Sequence, residues 1–267
     1  MSLSITVLGS SSAVPTLHRH PSAYALKSDK RKDFFLIDCG EGTQMLLRQA
    51  NIYMQRISRV FISHLHGDHF FGLIGFITTQ NLFGRTEELH IYAHKPLEKI
   101  IKLHLQIDNI NLSYPLIFNA IDTRKKKLNI LYEDDLIKIS TFPLVHGIPT
   151  NGFLFREKSA SPQKQKECKT FAYCSDTSYT ETIIPYIEGV DMLYHEATFM
   201  EDLIYAAKEK HHSTAKQAAK IALLANVKQL LIGHYSARYK DVTPLLEEAK
   251  TVFPNTFAAV EGTIMRT

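Results

Sequence analysis

Six consecutive residues, His64-Leu65-His66-Gly67-Asp68-His69, carry three imidazoles and a carboxylate, directly after the apolar run Val60-Phe61-Ile62. A short apolar run of this kind reads as a buried strand. The chain must therefore fold so that four nitrogen and oxygen donors stay together where that strand ends. Donors of these types suit zinc or a neighbouring first-row metal. Solvated loop residues have no reason to crowd in this way, so the cluster demands a sheet with a polar centre at its rim.

Three further donors occupy equivalent places. His146 follows an apolar strand in Pro143-Leu144-Val145-His146-Gly147-Ile148-Pro149, Asp176 follows one in Tyr173-Cys174-Ser175-Asp176-Thr177, and His234 follows one in Leu231-Ile232-Gly233-His234. Polar residues at strand ends converge on one edge of a sheet, where α/β enzymes place their chemistry. One zinc needs about four ligands. Seven donors with a shared carboxylate suit two metals.

The chain has 267 residues, enough for one large α/β domain or two small ones with a sizeable buried core. No shift in composition marks a boundary, so residues 1–267 read as a single domain. No run is long enough to cross a membrane, and Met1 to Gly9 reads as a strand and turn rather than a signal peptide. Cys39, Cys168 and Cys174 form no C-x-x-C pair, which points to a reducing cytoplasm. The net charge of +4 permits an anionic partner. The basic runs Lys30 to Lys32, Arg124 to Lys127, and Lys164, Lys166 and Lys169 read first as solvated loops.

Strand patterns fall at Ser4–Leu8, Phe34–Ile37, Arg59–Ile62, Glu88–Tyr92, Ile137–Phe142 and Gln229–Ile232. Helical patterns fall at Glu41–Gln49, Leu73–Leu82, Pro96–Leu105, Thr214–Leu224 and Pro244–Val252, with Ser213-Thr214 as an N-cap and Pro96 and Pro244 in first turns. Consecutive strands over Pro115–Phe155 favour mixed sheets with helices outside over a uniform doubly wound fold.

Several motifs then line up in order along nearly the whole chain. They are Gly9-Ser10-Ser11-Ser12-Ala13-Val14-Pro15-Thr16 with Arg19, Asp38-Cys39-Gly40-Glu41-Gly42-Thr43, the His64–His69 cluster, Pro143 to Pro149, Ser175-Asp176-Thr177, His195-Glu196-Ala197-Thr198-Phe199, His212-Ser213-Thr214 and His234-Tyr235-Ser236-Ala237-Arg238-Tyr239. In them the chain resembles the metallo-β-lactamase superfamily. The Glu196 and His212 motifs narrow the resemblance to the ribonuclease Z family, endonucleases that trim the 3′ end of precursor tRNA. The resemblance implies a four-layer αββα sandwich, two mixed β-sheets face to face with helices outside. It implies two divalent ions, zinc first, with manganese or iron as alternatives. His64, His66 and His146 would hold one ion, Asp68, His69 and His234 the other, and Asp176 would bridge them.

The implied chemistry is in-line attack on a phosphodiester by a metal-bound hydroxide. The resemblance makes Asp68 the acceptor of the water's proton. His212 is the donor to the leaving 3′ oxygen, with Glu196 holding its other ring nitrogen. Ser236, Arg238 and Tyr239 are candidate substrate contacts, Arg as a forked phosphate donor and Tyr as a stacking face. Strand alternation turns His195 away from the metals. His18, His20, His90, His94, His104 and His211 receive no role. The family resemblance also suggests a homodimer.

One departure stands out. Ribonuclease Z enzymes commonly extrude a long tRNA-gripping arm between the motifs of His146 and Asp176. Here that interval holds flanking strands and a short basic insertion, Arg156 to Lys169. Either a shortened loop grips the RNA or the substrate is not tRNA. Two readings stay open: removal of the 3′ trailer from precursor tRNA, and hydrolysis of a small phosphodiester such as a cyclic nucleotide. A third class, RNA binding without turnover or a metal-stabilised scaffold, is disfavoured by the complete ligand set.

Overall fold

The computed structural model describes residues 2–122, 127–159 and 168–267. Arg124, Lys125, Lys126, Lys164 and Lys166 lie outside the described residues, as does the middle of the Arg156–Lys169 insertion.

The first half of the chain runs β1 (Leu3–Gly9), β2 (Ala23–Ser28), β3 (Phe34–Ile37), α1 (Thr43–Gln49), β4 (Ile57–Phe61), α2 (Gly67–Phe70), α3 (Leu73–Leu82), β5 (Leu89–Ala93), α4 (Pro96–Ile107) and β6 (Leu116–Ala120). The second runs β7 (Asn129–Glu133), β8 (Ile137–Leu144), β9 (Thr150–Glu157), β10 (Thr170–Cys174), α5 (Ile184–Ile187), β11 (Met192–Glu196), α6 (Ile204–Glu209), α7 (Ala215–Leu224), β12 (Gln229–Gly233), α8 (Thr243–Lys250), β13 (Thr256–Ala258) and β14 (Ile264–Arg266).

These strands form two seven-stranded sheets, ordered β14-β1-β2-β3-β4-β5-β6 and β13-β12-β11-β10-β9-β8-β7. Each is mixed. In the first, β3 to β6 are parallel and β14, β1 and β2 join antiparallel. In the second, β10 to β13 are parallel and β7 to β9 join antiparallel. The expected strand-rich stretch Pro115–Phe155 is divided: β6 closes the first sheet, and β7 to β9 begin the second.

Three apolar clusters give four layers. Ile5, Tyr24, Phe35 and Phe61 from one sheet meet Phe153, Phe155, Phe171, Tyr173 and Tyr194 from the other. The Phe61 and Phe155 ring centroids lie 5.6 Å apart, and the Tyr24 hydroxyl donates to that of Tyr194 at 2.8 Å. Outside, α1, α3 and α4 cover the first sheet, while α5, α7 and α8 cover the second. Strands β10 and β11 are buried along their whole length, as strands covered on both faces must be.

Local chemistry sets the helix ends. The α1 pattern begins at Glu41 in sequence, but the helix starts at Thr43 because Gly42 has a φ of 82°, outside the helical region. Thr214 caps α7 through a reciprocal capping box with Gln217.

Strand direction decides where the chemistry sits. β1 and β3 each pair antiparallel with β2, so they share a direction. β8 and β10 each pair antiparallel with β9 and share one too. The C-terminal ends of β1, β3 and β4 therefore emerge at one rim of the first sheet, and those of β8, β10, β11 and β12 at one rim of the second.

Candidate metal centre

Each candidate ligand leaves the C-terminal end of a strand. Beyond β4 the chain passes through Ser63 to His64, and His66 stands just before α2, whose first turn carries Asp68 and His69. The loop after β3 packs directly against this turn. Cys39 N–H donates to His69 O at 2.8 Å, and Gly72 N–H donates to Cys39 O at 3.0 Å. A Cβ on Gly40 would stand 2.5 Å from the Asp68 carbonyl oxygen, so only glycine permits this approach.

The donors meet in two groups. His64 Nε2 and His146 Nε2 lie 3.0 and 3.2 Å from His66 Nδ1, and 3.6 and 3.8 Å from Asp176 Oδ2. His69 Nε2 and His234 Nε2 each lie 3.4 Å from Asp68 Oδ2, and 3.4 and 3.3 Å from Asp176 Oδ1. Asp176 thus turns one oxygen to each group. A tetrahedron of donors about 2.1 Å from a zinc has edges of about 3.4 Å. Most of these separations match that edge better than an ordinary N–H···O distance of about 2.9 Å. His69 Nε2 is also buried with no hydrogen-bond partner, a costly state unless a ligand completes it. Donor types, spacing and orphaned nitrogen all fit two cations.

The outward ring nitrogens are held so that the inward ones stay free. His69 Nδ1 donates to Asp38 Oδ2 at 2.8 Å, and His146 Nδ1 donates to the His211 carbonyl at 2.8 Å. Ser63 gives its proton to Asp38 at 3.0 Å, so it accepts from His64 Nδ1, also at 3.0 Å. Thr198 gives its proton to Glu196 Oε2 at 2.7 Å and accepts from His234 Nδ1 at 3.0 Å. Such partners fix tautomer and ring orientation. Asp38, Ser63, Thr198 and the His211 carbonyl carry no role in the sequence reading. Asp38 was findable, since it follows the apolar run Phe34–Ile37 just as His64 follows its own.

Backbone strain gathers here. Among the described residues seven non-glycines have positive φ: Ala13, Asp38, His211 and His234, and three asparagines. Asparagine tolerates this region. The other four all surround the donors, and Ala13 uses its conformation to donate its N–H to Asp68 Oδ2 at 2.8 Å. Strain confined to one place marks a site the surrounding fold pays to maintain.

Burial alone would raise the Asp68 pKa, but His69 and His234 hold that carboxyl well below its usual range. Glu196 is fully buried and saturated. Oε1 accepts from Thr177 N at 3.1 Å, Ser213 N at 3.0 Å and His212 Nδ1 at 2.9 Å, and Oε2 accepts from Thr198 N at 3.0 Å. Burial lowers the His212 pKa, and Glu196 outweighs it, pushing the imidazole up to about 9. His212 comes within reach of Asp176 and His234, but Glu196 occupies its Nδ1 and leaves Nε2 for the cavity the ring lines.

That cavity has a volume of about 520 Å³ and is lined by His66, Asp68, His146, Asp176, His212 and His234, with the Ser12–Pro15 loop at its edge. Ser236, Arg238 and Tyr239 are not among its lining residues. The Tyr239 hydroxyl accepts from Met200 N at 3.0 Å, and the exposed Arg238 lies over the Phe199 ring at 5.0 Å. His195 is buried with Nδ1 donating to its neighbour's carbonyl at 2.7 Å, away from the donors as its strand position predicts.

Two mixed sheets, helices outside and this rim define a metallo-β-lactamase-fold protein. The family model of anti-Pycsar protein Apyc1 matches residues 3–253, which places the chain within the family that model describes. Ribonuclease Z of Bacteroides fragilis is 41% identical over 296 aligned positions, covering 96% of each chain. Ribonuclease Z of Porphyromonas gingivalis is 41% identical over 298, covering 97% of each. Among solved structures, the short form of human tRNase Z superposes with a TM-score of 0.83 at 27% identity, covering 98% of both chains. The chain belongs to the ribonuclease Z family.

Proposed function

We propose that this protein is an endoribonuclease that removes the 3′ trailer of precursor tRNA, with two divalent ions, zinc first. The observation that carries the reading is the Glu196–His212 pair set against a two-carboxylate, five-histidine rim. That is a proton donor beside a site suited to a phosphodiester. The whole-length identity to enzymes named Ribonuclease Z supports the RNA substrate.

When bound, the ions lower the pKa of water toward neutrality and offset charge on a phosphoryl oxygen. His64, His66, His146 and Asp176 Oδ2 would hold one, and Asp68, His69, His234 and Asp176 Oδ1 the other. Asp68, which accepts the Ala13 N–H at 2.8 Å and would face a bound cation, stays ionised, and it would orient the attacking water and relay its proton rather than store it. His212, protonated at neutral pH, gives a proton through Nε2 to the leaving 3′ oxygen. Glu196 keeps the imidazolium in place and in charge. Ser236 and Arg238 would meet RNA phosphates outside the cavity. Tyr239, tied to the Met200 N–H, would offer only a ring edge.

The alignments to the Bacteroides and Porphyromonas relatives run to 296 and 298 positions against the 267 residues of this chain. The relatives therefore carry residues that this chain lacks, consistent with a shortened arm between His146 and Asp176. No helix among the described residues is long and apolar enough to cross a membrane. A cytoplasmic homodimer remains part of the proposal.

The test is incubation of metal-loaded protein with a precursor tRNA and with bis(p-nitrophenyl) phosphate. Cleavage at the trailer junction is expected. Ester hydrolysis without tRNA cleavage would transfer the site to a small phosphodiester.

A further inference from the structure

Asp38 is fully buried, and its carboxylate takes four donors. Oδ1 accepts the Ser63 N–H at 2.8 Å, while Oδ2 accepts Ser63 Oγ at 3.0 Å, His69 Nδ1 at 2.8 Å and the Tyr173 hydroxyl at 2.8 Å. Three of these donors belong to the chain that leaves β4, in the first sheet. Tyr173 alone comes from the second sheet, on β10. A carboxylate oxygen accepts, so the phenol is the donor. Tyr173 stacks on Tyr194, with ring centroids 4.6 Å apart and planes at 9°, and the Tyr24 ring lies 5.5 Å from it. A buried tyrosine hydroxyl needs a partner. Tyr24 and Tyr194 satisfy each other at 2.8 Å. Tyr173 instead reaches across the sheets to the carboxylate that orients His69. The Asp38 backbone has a φ of 55°, a conformation that persists only where the surroundings enforce it.

We propose that Tyr173 is a positioning residue for the metal centre: its hydroxyl holds Asp38, and through Asp38 the His69 ring, so that His69 Nε2 faces Asp68 and Asp176. The inference rests on the reading that these donors hold two cations. His69 Nε2 lies 3.4 Å from Asp68 Oδ2 and 3.4 Å from Asp176 Oδ1, so a small turn of the ring would spoil both separations. Ser63 reaches Asp38 from the same sheet as His69 and moves with it. Tyr173 ties the same carboxylate to the second sheet, which carries Asp176 and His234. Its hydroxyl therefore registers a ligand of one sheet against the ligands of the other. Partners of this kind, one step behind a ligand, set both its orientation and the affinity of the metal.

Competition of a chelator for zinc on the metal-loaded full chain tests this, together with the visible absorption spectrum of the cobalt-substituted protein. Tyr173→Phe removes the hydroxyl and keeps the ring. It is expected to weaken one of the two ions about tenfold, the lower end of the range for losing such a partner. The other ion stays within about twofold, and the cobalt ligand-field bands shift. Tyr24→Phe is the control: it removes a buried hydroxyl from the same aromatic layer, but one that serves Tyr194 rather than Asp38. It is expected to lower Tm, leaving both affinities within about twofold and the cobalt spectrum unchanged. Unchanged affinities in Tyr173→Phe, equal weakening of both ions, or the same weakening in Tyr24→Phe overturns the positioning role. Fewer than two ions on the unaltered protein reject the two-cation reading, and this role with it.

Discussion

The Thr198 hydroxyl has one proton and three neighbours: Glu196 Oε2 at 2.7 Å, His234 Nδ1 at 3.0 Å and His212 Nδ1 at 3.3 Å. Giving that proton to the carboxylate obliges His234 to donate, which keeps His234 Nε2 unprotonated toward Asp68 and Asp176. One hydroxyl thus joins the Glu196–His212 pair to the second donor group. Thr198→Val is expected to weaken the second metal about 10–100-fold, the usual cost of losing such a partner, and Thr198→Ser to restore it, by calorimetric titration with zinc. His212→Ala is expected to keep both metals and slow turnover about 10²–10⁴-fold, the usual worth of a general acid. Its pH profile gives the sign. The His212 pKa is raised to about 9, so the donor is charged below that pH and the rate falls as pH rises through it. The variant lacks that limb. The pair's contribution to stability runs the same way, full below an unfolded imidazole pKa of about 6.5 and lost as pH rises through the raised value. At this scale the gathering of the seven candidate donors was legible, because imidazoles and carboxylates at strand ends have few other uses. Ser63, Thr198 and the His211 carbonyl were not. A hydroxyl or a carbonyl acquires a role only from what folding sets beside it.

Among the elements, the strands that lead to the candidate donors read from their apolar runs: β4, β8 and β12 ended within two residues of their expected bounds, and β10 was read only as the strand before Asp176. The expected strand run Pro115–Phe155 hid its own partition between two sheets, since alternation along a strand says nothing about which sheet it joins. Turn chemistry was more legible. Thr214 caps α7 as the sequence suggests, and the structure adds Gln217 as the reciprocal half of a capping box; Thr214→Ala is expected to cost about 1 kcal/mol of stability, read by denaturant unfolding. Gly233, at the end of β12, shows the opposite case. A Cβ there would stand 2.7 Å from the Tyr194 ring and 3.0 Å from the Tyr24 hydroxyl. Gly233→Ala is expected to destabilise by about 1–3 kcal/mol through overpacking, with a loss of activity as His234, the next residue, shifts. Unchanged stability in that variant would mean the aromatic pair yields more easily than its packing suggests.

Across the whole molecule, the first sheet supplies His64, His66, Asp68 and His69, and the second supplies His146, Asp176 and His234. Neither sheet holds a complete set, and the buried aromatic layer between them is what brings the halves together. Metal binding and sheet docking are therefore linked. Added zinc is expected to raise Tm in a concentration-dependent way, as any ligand of the folded state does, and a chelator is expected to lower it. The resemblance to a known family carried the four-layer arrangement, which no local pattern encodes. The most direct test of the central claim is the number of ions bound per chain, measured by elemental analysis after resupply with zinc and exhaustive dialysis. Two per chain are predicted, falling below two when Asp176 is replaced by alanine. A count of zero or one in the unaltered protein would contradict the shared centre.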